Sequence, residues 1–130
     1  MAKTFITISG QLHTPLVLTC PGDKKRKSTD SFANLTTRNI SNFLAADTIE
    51  TNVNQILVGD RDIAVNGKQA VSGVVRVNDP GVVSWAGVIH GPNAGNVALV
   101  GGSAHQVTSK GLRDLLQCTG TATNNRLLIP

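Results

Sequence analysis

"NVALVGGSAHQVTSKGLRDLLQ", residues 96–117, changes its periodicity part-way along. NVALVGG (96–102) is an apolar run of strand length that ends on two glycines. Ser103, Ala104, His105 and Gln106 then fit a capping box, a hydroxyl at the N-cap with Gln three residues on. Val107, Gly111, Leu112, Leu115 and Leu116 recur at helical spacing, and Gly120 is a natural stop. The stretch predicts one amphipathic helix over about 104–118, following a chain that otherwise reads as strands.

Upstream, KTFITIS (3–9) alternates and is β-branched, GQLH breaks it, and PLVLTC (15–20) forms a second apolar run, so residues 1–20 predict an N-terminal hairpin. NLTTRNISNFLAAD (34–47) suits an irregular strand better than a helix. IETNVNQILVG (49–59) reads as a strand with a polar face that begins Glu50, Asn52, Asn54. Asn66-Gly67 is a strong hairpin turn signal. KQAVSGVVRVN (68–78) follows with regular alternation, Val71, Val75 and Val77 on one side and Lys68, Ser72, Arg76 and Asn78 on the other. Asp79-Pro80-Gly81 turns the chain, and VVSWAGVIH (82–90) is a further strand before the GPNAG loop. The expected class is α+β: an antiparallel sheet of about six strands, its main part in 34–102, then a helical unit at 103–119 and a tail at 120–130. A single helix cannot cover such a sheet. A second copy of the chain is the expected cover, with Val107, Leu112, Leu115 and Leu116 at the dimer interface.

The composition narrows the function. At 130 residues the chain is one domain. Only 15% of residues are charged, against about 25% in ordinary soluble domains, which favours a surface covered by association. Phe5, Phe32, Phe43 and Trp85 are the whole aromatic complement, which disfavours a base-stacking platform. No window resembles a membrane span or a signal-peptide core, so a cytoplasmic site of synthesis is expected. Cys20 and Cys118 lie far apart and form neither a disulfide framework nor a zinc pattern. His13, His90 and His105 are scattered, and no acid pair, nucleophile–base spacing or metal motif stands out. The expectation is a protein that is not an enzyme, with no cofactor, metal or small-molecule substrate.

Net charge is +4, and four of the twelve Lys and Arg residues stand together as Lys24, Lys25, Arg26 and Lys27. Such a loop can be merely solvated or can mimic a nuclear localisation signal, but concentrated lysines suit phosphate binding through counterion release. Lys68 and Arg76, with Asn52, Asn54, Ser72 and Asn78 as neighbours, form the second candidate: a polar sheet face with cations for phosphates and amides or hydroxyls for bases and ribose. The first set predicts binding without sequence preference; the second predicts what selectivity exists.

MAKTFITISG at the start, NVALVGGSAHQVTSKGLRDLLQ near the end and the apolar RLLIP after a polar linker together resemble the coat proteins of single-stranded RNA bacteriophages, the levivirus type. The opening is similar to that of the Pseudomonas-phage members. The resemblance implies an interlocked homodimer in which each helix packs over its partner's sheet. Dimers then assemble in the host bacterial cytoplasm into an icosahedral shell, the virion, around the RNA genome. It also implies a polar sheet face turned inward, able to bind an RNA hairpin as a translational repressor. Another virion component, such as a tail or decoration protein, and a small cellular RNA-binding domain are the competing classes.

Overall fold

The computed structural model describes residues 1–118 and 125–130. In chain order the helices are α1 (Ala2–Thr7), α2 (Ser9–Leu12) and α3 (Ser109–Gln117). The strands are β1 (Asn42–Ala45), β2 (Ile56–Asp60), β3 (Ile63–Val65), β4 (Lys68–Gln69), β5 (Gly73–Val77), β6 (Val83–Trp85), β7 (Gly95–Leu99), β8 (Ala104–Val107) and β9 (Asn125–Ile129). Short 3-10 turns sit at Pro15–Leu18, Phe32–Asn34, Thr37–Asn39 and Pro80–Val82. Six strands form one sheet in the order β5-β9-β1-β2-β7-β8, and three form a second in the order β4-β3-β6. Every pairing is antiparallel. The α+β class with a six-stranded antiparallel sheet therefore holds.

Alternation assigns the faces of the large sheet. Phe43, Val97, Leu99, Leu127 and Ile129 point inward and are buried with Ile63, Val83 and Trp85 of the small sheet and Leu112 and Leu116 of α3. The helix lies against β6 and the 80–82 turn. Arg113 Nη1 donates to the Val83 carbonyl at 3.1 Å, and the Trp85 amide donates to Ser109 Oγ at 3.0 Å. Trp85 Nε1 donates to the Val107 carbonyl at 2.8 Å, just before the helix. Gly95 lets the Trp85 ring lie on β7, since a Cβ there would fall 2.5 Å from the ring.

The opposite face carries an apolar row in register across all six strands: Val74, Leu128, Leu44, Val58, Ala98 and Ala104. A second, smaller cluster covers part of it. Phe5, Leu18, Leu35 and Ile40 are buried together, with Met1, Leu12 and Leu44 packed against them.

Several expectations are corrected. Residues 1–20 are not a hairpin. Met1, Ala2, Phe5 and Leu12 share one side at helical spacing, whereas alternation would put Phe5 and Ile6 on opposite faces. Thr14 Oγ1 accepts the Leu16 amide and Pro15 takes the first position of a 3-10 turn, so 15–20 is not a strand. Residues 46–55 form a loop rather than the first part of a strand. Buried Gln55 holds it, accepting the Ile49 amide (2.9 Å) and donating to the Asp47 carbonyl (3.0 Å). The 68–78 run divides into β4 and β5, which belong to different sheets, with Gly73 at φ +130° at the break. Residues 104–107 form β8, so the helix begins later than expected. Its cap is Thr108, whose Oγ1 accepts the Gly111 amide. The apolar tail is β9, an interior strand. Gly120 and the expected linker up to residue 124 lie outside the described residues, and the linker's last residue, Asn125, opens β9.

Candidate nucleic-acid interface

The link between the two sheets builds the site. Asp60, Arg61 and Asp62 follow one another, and all three are buried. Each organises a different loop. Asp60 Oδ2 accepts the amide of Asn96 at 2.6 Å and its side-chain Nδ2 at 3.1 Å. Asp62 Oδ2 accepts the amides of Val88 and Ile89. Arg61 reaches back to the basic loop and grips Asp23 with Nε on Oδ2 (2.6 Å) and Nη2 on Oδ1 (2.7 Å).

Asp23 is the pivot of that loop. Its amide donates to the Cys20 carbonyl (3.0 Å), its Oδ1 accepts the Lys25 amide (3.2 Å), and its carbonyl accepts the Arg26 amide (3.1 Å). Burial pushes the Asp23 carboxyl upward, but the hydrogen bonds and charge of Arg61, with the Lys25 amide, outweigh it and hold the group below the ordinary aspartate value. The turn so formed leaves Lys24, Lys25 and Lys27 exposed.

Arg26 differs from its neighbours. It is half-buried, with Nε donating to the Ile40 carbonyl (3.1 Å) and Nη2 to the Pro130 carbonyl (2.8 Å). Burial first, then the charge of Arg61, lowers its pKa from the usual arginine value. It is a strut between β9 and the chain entering β1, so the run is three exposed lysines around one fixed arginine.

The loop is pinned at its far end by Asn39. Asn39 Nδ2 donates to the Lys27 carbonyl (2.8 Å), while Oδ1 accepts the amide and the hydroxyl of Thr36. This closes a cleft of about 620 Å³ between the run and the 34–39 turns, lined by Lys25, Arg26, Lys27, Arg38, Asn34, Thr36 and Asn39. No carboxylate lines it among the described residues. Arg38 is exposed and is the residue that sequence reasoning missed. Its signal was the capping pair Thr36–Asn39, which turns the chain back onto the run. Lys24 instead lines a neighbouring cleft of about 410 Å³ with Cys20, Asp23 and Arg26, and its Nζ donates to the Pro21 carbonyl at 3.1 Å.

The second candidate set is not one strand face. Lys68 is exposed on β4 of the small sheet, and Arg76 is exposed on β5 of the large sheet. Arg76 lies in register with Arg126, which forms an ion pair with Asp47 (Nη2–Oδ1 2.5 Å). Ser72 donates to the Ile129 carbonyl at 3.4 Å. Asn52 and Asn54 belong to the 46–55 loop, and Asn78 is exposed after β5. The expected interface leucines are placed differently too. Leu112 and Leu116 are buried by their own chain, and Leu115 and Val107 pack against the same core. The short second sheet gives α3 a home that the sequence pattern had assigned to a partner.

Among the described residues, no group of three or more His, Cys, Asp or Glu is placed to hold a metal ion, and no helix is long and apolar enough to cross a membrane. No family model, curated protein or solved structure matches the chain.

Proposed function

We propose that the protein is an RNA-binding structural protein of the coat type, which holds single-stranded RNA by its phosphates and associates with copies of itself into a shell. One observation carries the RNA reading: the cleft in which Lys25, Lys27 and Arg38 flank the fixed Arg26. Its cations are long side chains at a polyanion's reach, and no aromatic ring or carboxylate lines it among the described residues. Such a surface binds backbone charge and reads little sequence. The Asn34 amide and Thr36 hydroxyl can add hydrogen bonds to ribose or bases.

Self-association draws on the large sheet. Its apolar row is only partly covered, and β5 and β8 stand at the two ends of the strand order. Edges of this kind pair with other chains unless blocked. In this proposal α3 stays on its own core and copies meet through the sheet, in place of helices exchanged over a partner. The virion is the corresponding location, and an operator hairpin is a further ligand to test.

The experiment is fluorescence anisotropy with a single-stranded RNA across a salt series, on wild type and on Lys25→Ala/Lys27→Ala/Arg38→Ala. The log-affinity against log-salt slope should flatten by about 0.7 for each phosphate no longer neutralised, or about 2 in all. An unchanged slope overturns the RNA site. Size exclusion and negative-stain imaging test the shell separately: a stable monomer at micromolar concentration overturns the coat reading whatever the RNA result.

A further inference from the structure

Cys20 lies at the cleft beside the basic run, partly exposed, with Sγ 3.4 Å from His90 Nε2. The same nitrogen faces buried Asp60 Oδ2 at 3.3 Å. The Asn96 amide, 3.2 Å from Nε2, donates to that carboxylate oxygen at 3.1 Å. Three chain segments meet here, and each is held independently. Asp62 fixes the Val88 and Ile89 amides just before His90. Asp23, gripped by Arg61, caps the turn that begins at Cys20. Gly22 lies against the Ile89 carbonyl, where a Cβ would approach it to 3.1 Å.

We infer that Cys20 is a reactive thiol that undergoes exchange with anionic low-molecular-weight disulfides. The thiol proton passes to His90 Nε2, and that single N–H then faces both the Asp60 carboxylate and the new thiolate. The thiolate attacks one sulfur of the disulfide; the old S–S bond breaks as the new one forms. The leaving thiolate takes the proton from His90, so a protein thiol and a disulfide become a mixed disulfide and a small thiol, with no other oxidant. A thiol within reach of a ring nitrogen that also faces a carboxylate has a proton acceptor and a counter-charge for that proton side by side. The preference for anions comes from the walls. Lys24 and Arg26 line the cleft, and Asp23, the one carboxylate there among the described residues, is neutralised by Arg61. This inference is independent of RNA binding.

The test compares Cys20 with Cys118, which is exposed and serves as the internal reference. Cys118→Ser and Cys20→Ser proteins are each reacted with glutathione disulfide (anionic), bis(2-hydroxyethyl) disulfide (neutral) and cystamine (cationic), and the adduct is followed by intact mass. With His90 Nε2 in reach to take its proton, Cys20 should react about threefold faster than Cys118 with the neutral reagent. For Cys20 the rates should rank anionic, neutral, cationic. His90→Gln should bring its rate down to that of Cys118. Lys24→Gln, at an exposed side chain, should weaken the charge ranking, and it carries the test if His90→Gln does not fold. A Cys20 rate at or below that of Cys118, or no ranking by charge, overturns the inference.

Discussion

Replacing Asp23 by Ala should cost about 3–5 kcal/mol, because it leaves the Arg61 guanidinium buried without its anion. The Asp23 side chain is 0% exposed and that of Arg61 8%. Two charges about 4 Å apart at an effective dielectric of about 20 attract by about 4 kcal/mol. The loss of an acceptor for the Lys25 amide adds about 1 kcal/mol. The size of the effect reflects the stranded partner rather than the net worth of the pair. Asp23→Ala/Arg61→Met should therefore cost less than Asp23→Ala alone. Urea unfolding of wild type, both single variants and the double variant gives the coupling. Trypsin supplies a local readout, since cleavage after Lys24, Lys25, Arg26 and Lys27 should accelerate once the turn loses its anchor. The pH dependence has a definite sign. The folded-state pKa of Asp23 is depressed, so its contribution is full above the unfolded value of about 3.9 and is lost as pH falls through the folded one. The gap between wild type and Asp23→Asn should close over that acid range. A cost for Asp23→Ala below about 1 kcal/mol, or strictly additive single effects, would refute the buried-pair argument.

Leu112→Ala should destabilise the isolated chain by about 2–5 kcal/mol, as Leu112 is fully buried within it, with a urea midpoint independent of protein concentration if no partner is needed to bury it. Gly95→Ala should cost at least about 1–3 kcal/mol through the clash with Trp85 and should shift the tryptophan emission. Burial raises the Asp60 pKa above its ordinary value, against the pull of Asn96 and His90. Asp60→Asn should therefore gain stability relative to wild type as pH rises from the ordinary aspartate range through the raised value, and lose that advantage in acid; thermal melts from pH 3 to 8 check it.

Local chemistry made part of the fold legible. Asn66 and Gly67 both have positive φ (52° and 71°) and make the β3–β4 turn, as their identities demand. Leu112 and Leu116 lie on the buried face their spacing predicted. Other parts depended on partners that a sequence does not display. Residues 104–107 carry a helix-cap pattern, yet β7 offers them a ladder, and Thr108 is a better-placed cap. RLLIP looks like a tail until β1 and β5 are seen to leave a gap that it fills. At the candidate site the lysine run was visible as composition. Arg38 was not, because its approach depends on the Thr36–Asn39 turn, nor was the Cys20–His90 meeting, which spans 70 residues of chain. Asp60-Arg61-Asp62 reads as a surface turn because charges are seldom buried; here each one finds a partner.

The place of β9 has a consequence for synthesis. It lies between β5 and β1, yet it is made after every other described strand. Until β9 emerges, the nascent chain holds β1 and β5 with their facing edges unsatisfied, and Leu127 and Ile129 are missing from the core. The large sheet can close only after residues 125–129 have cleared the exit tunnel. Closure of this sheet is thus dominated by pairings distant in sequence, the regime in which chains fold slowly and open edges meet other nascent chains first.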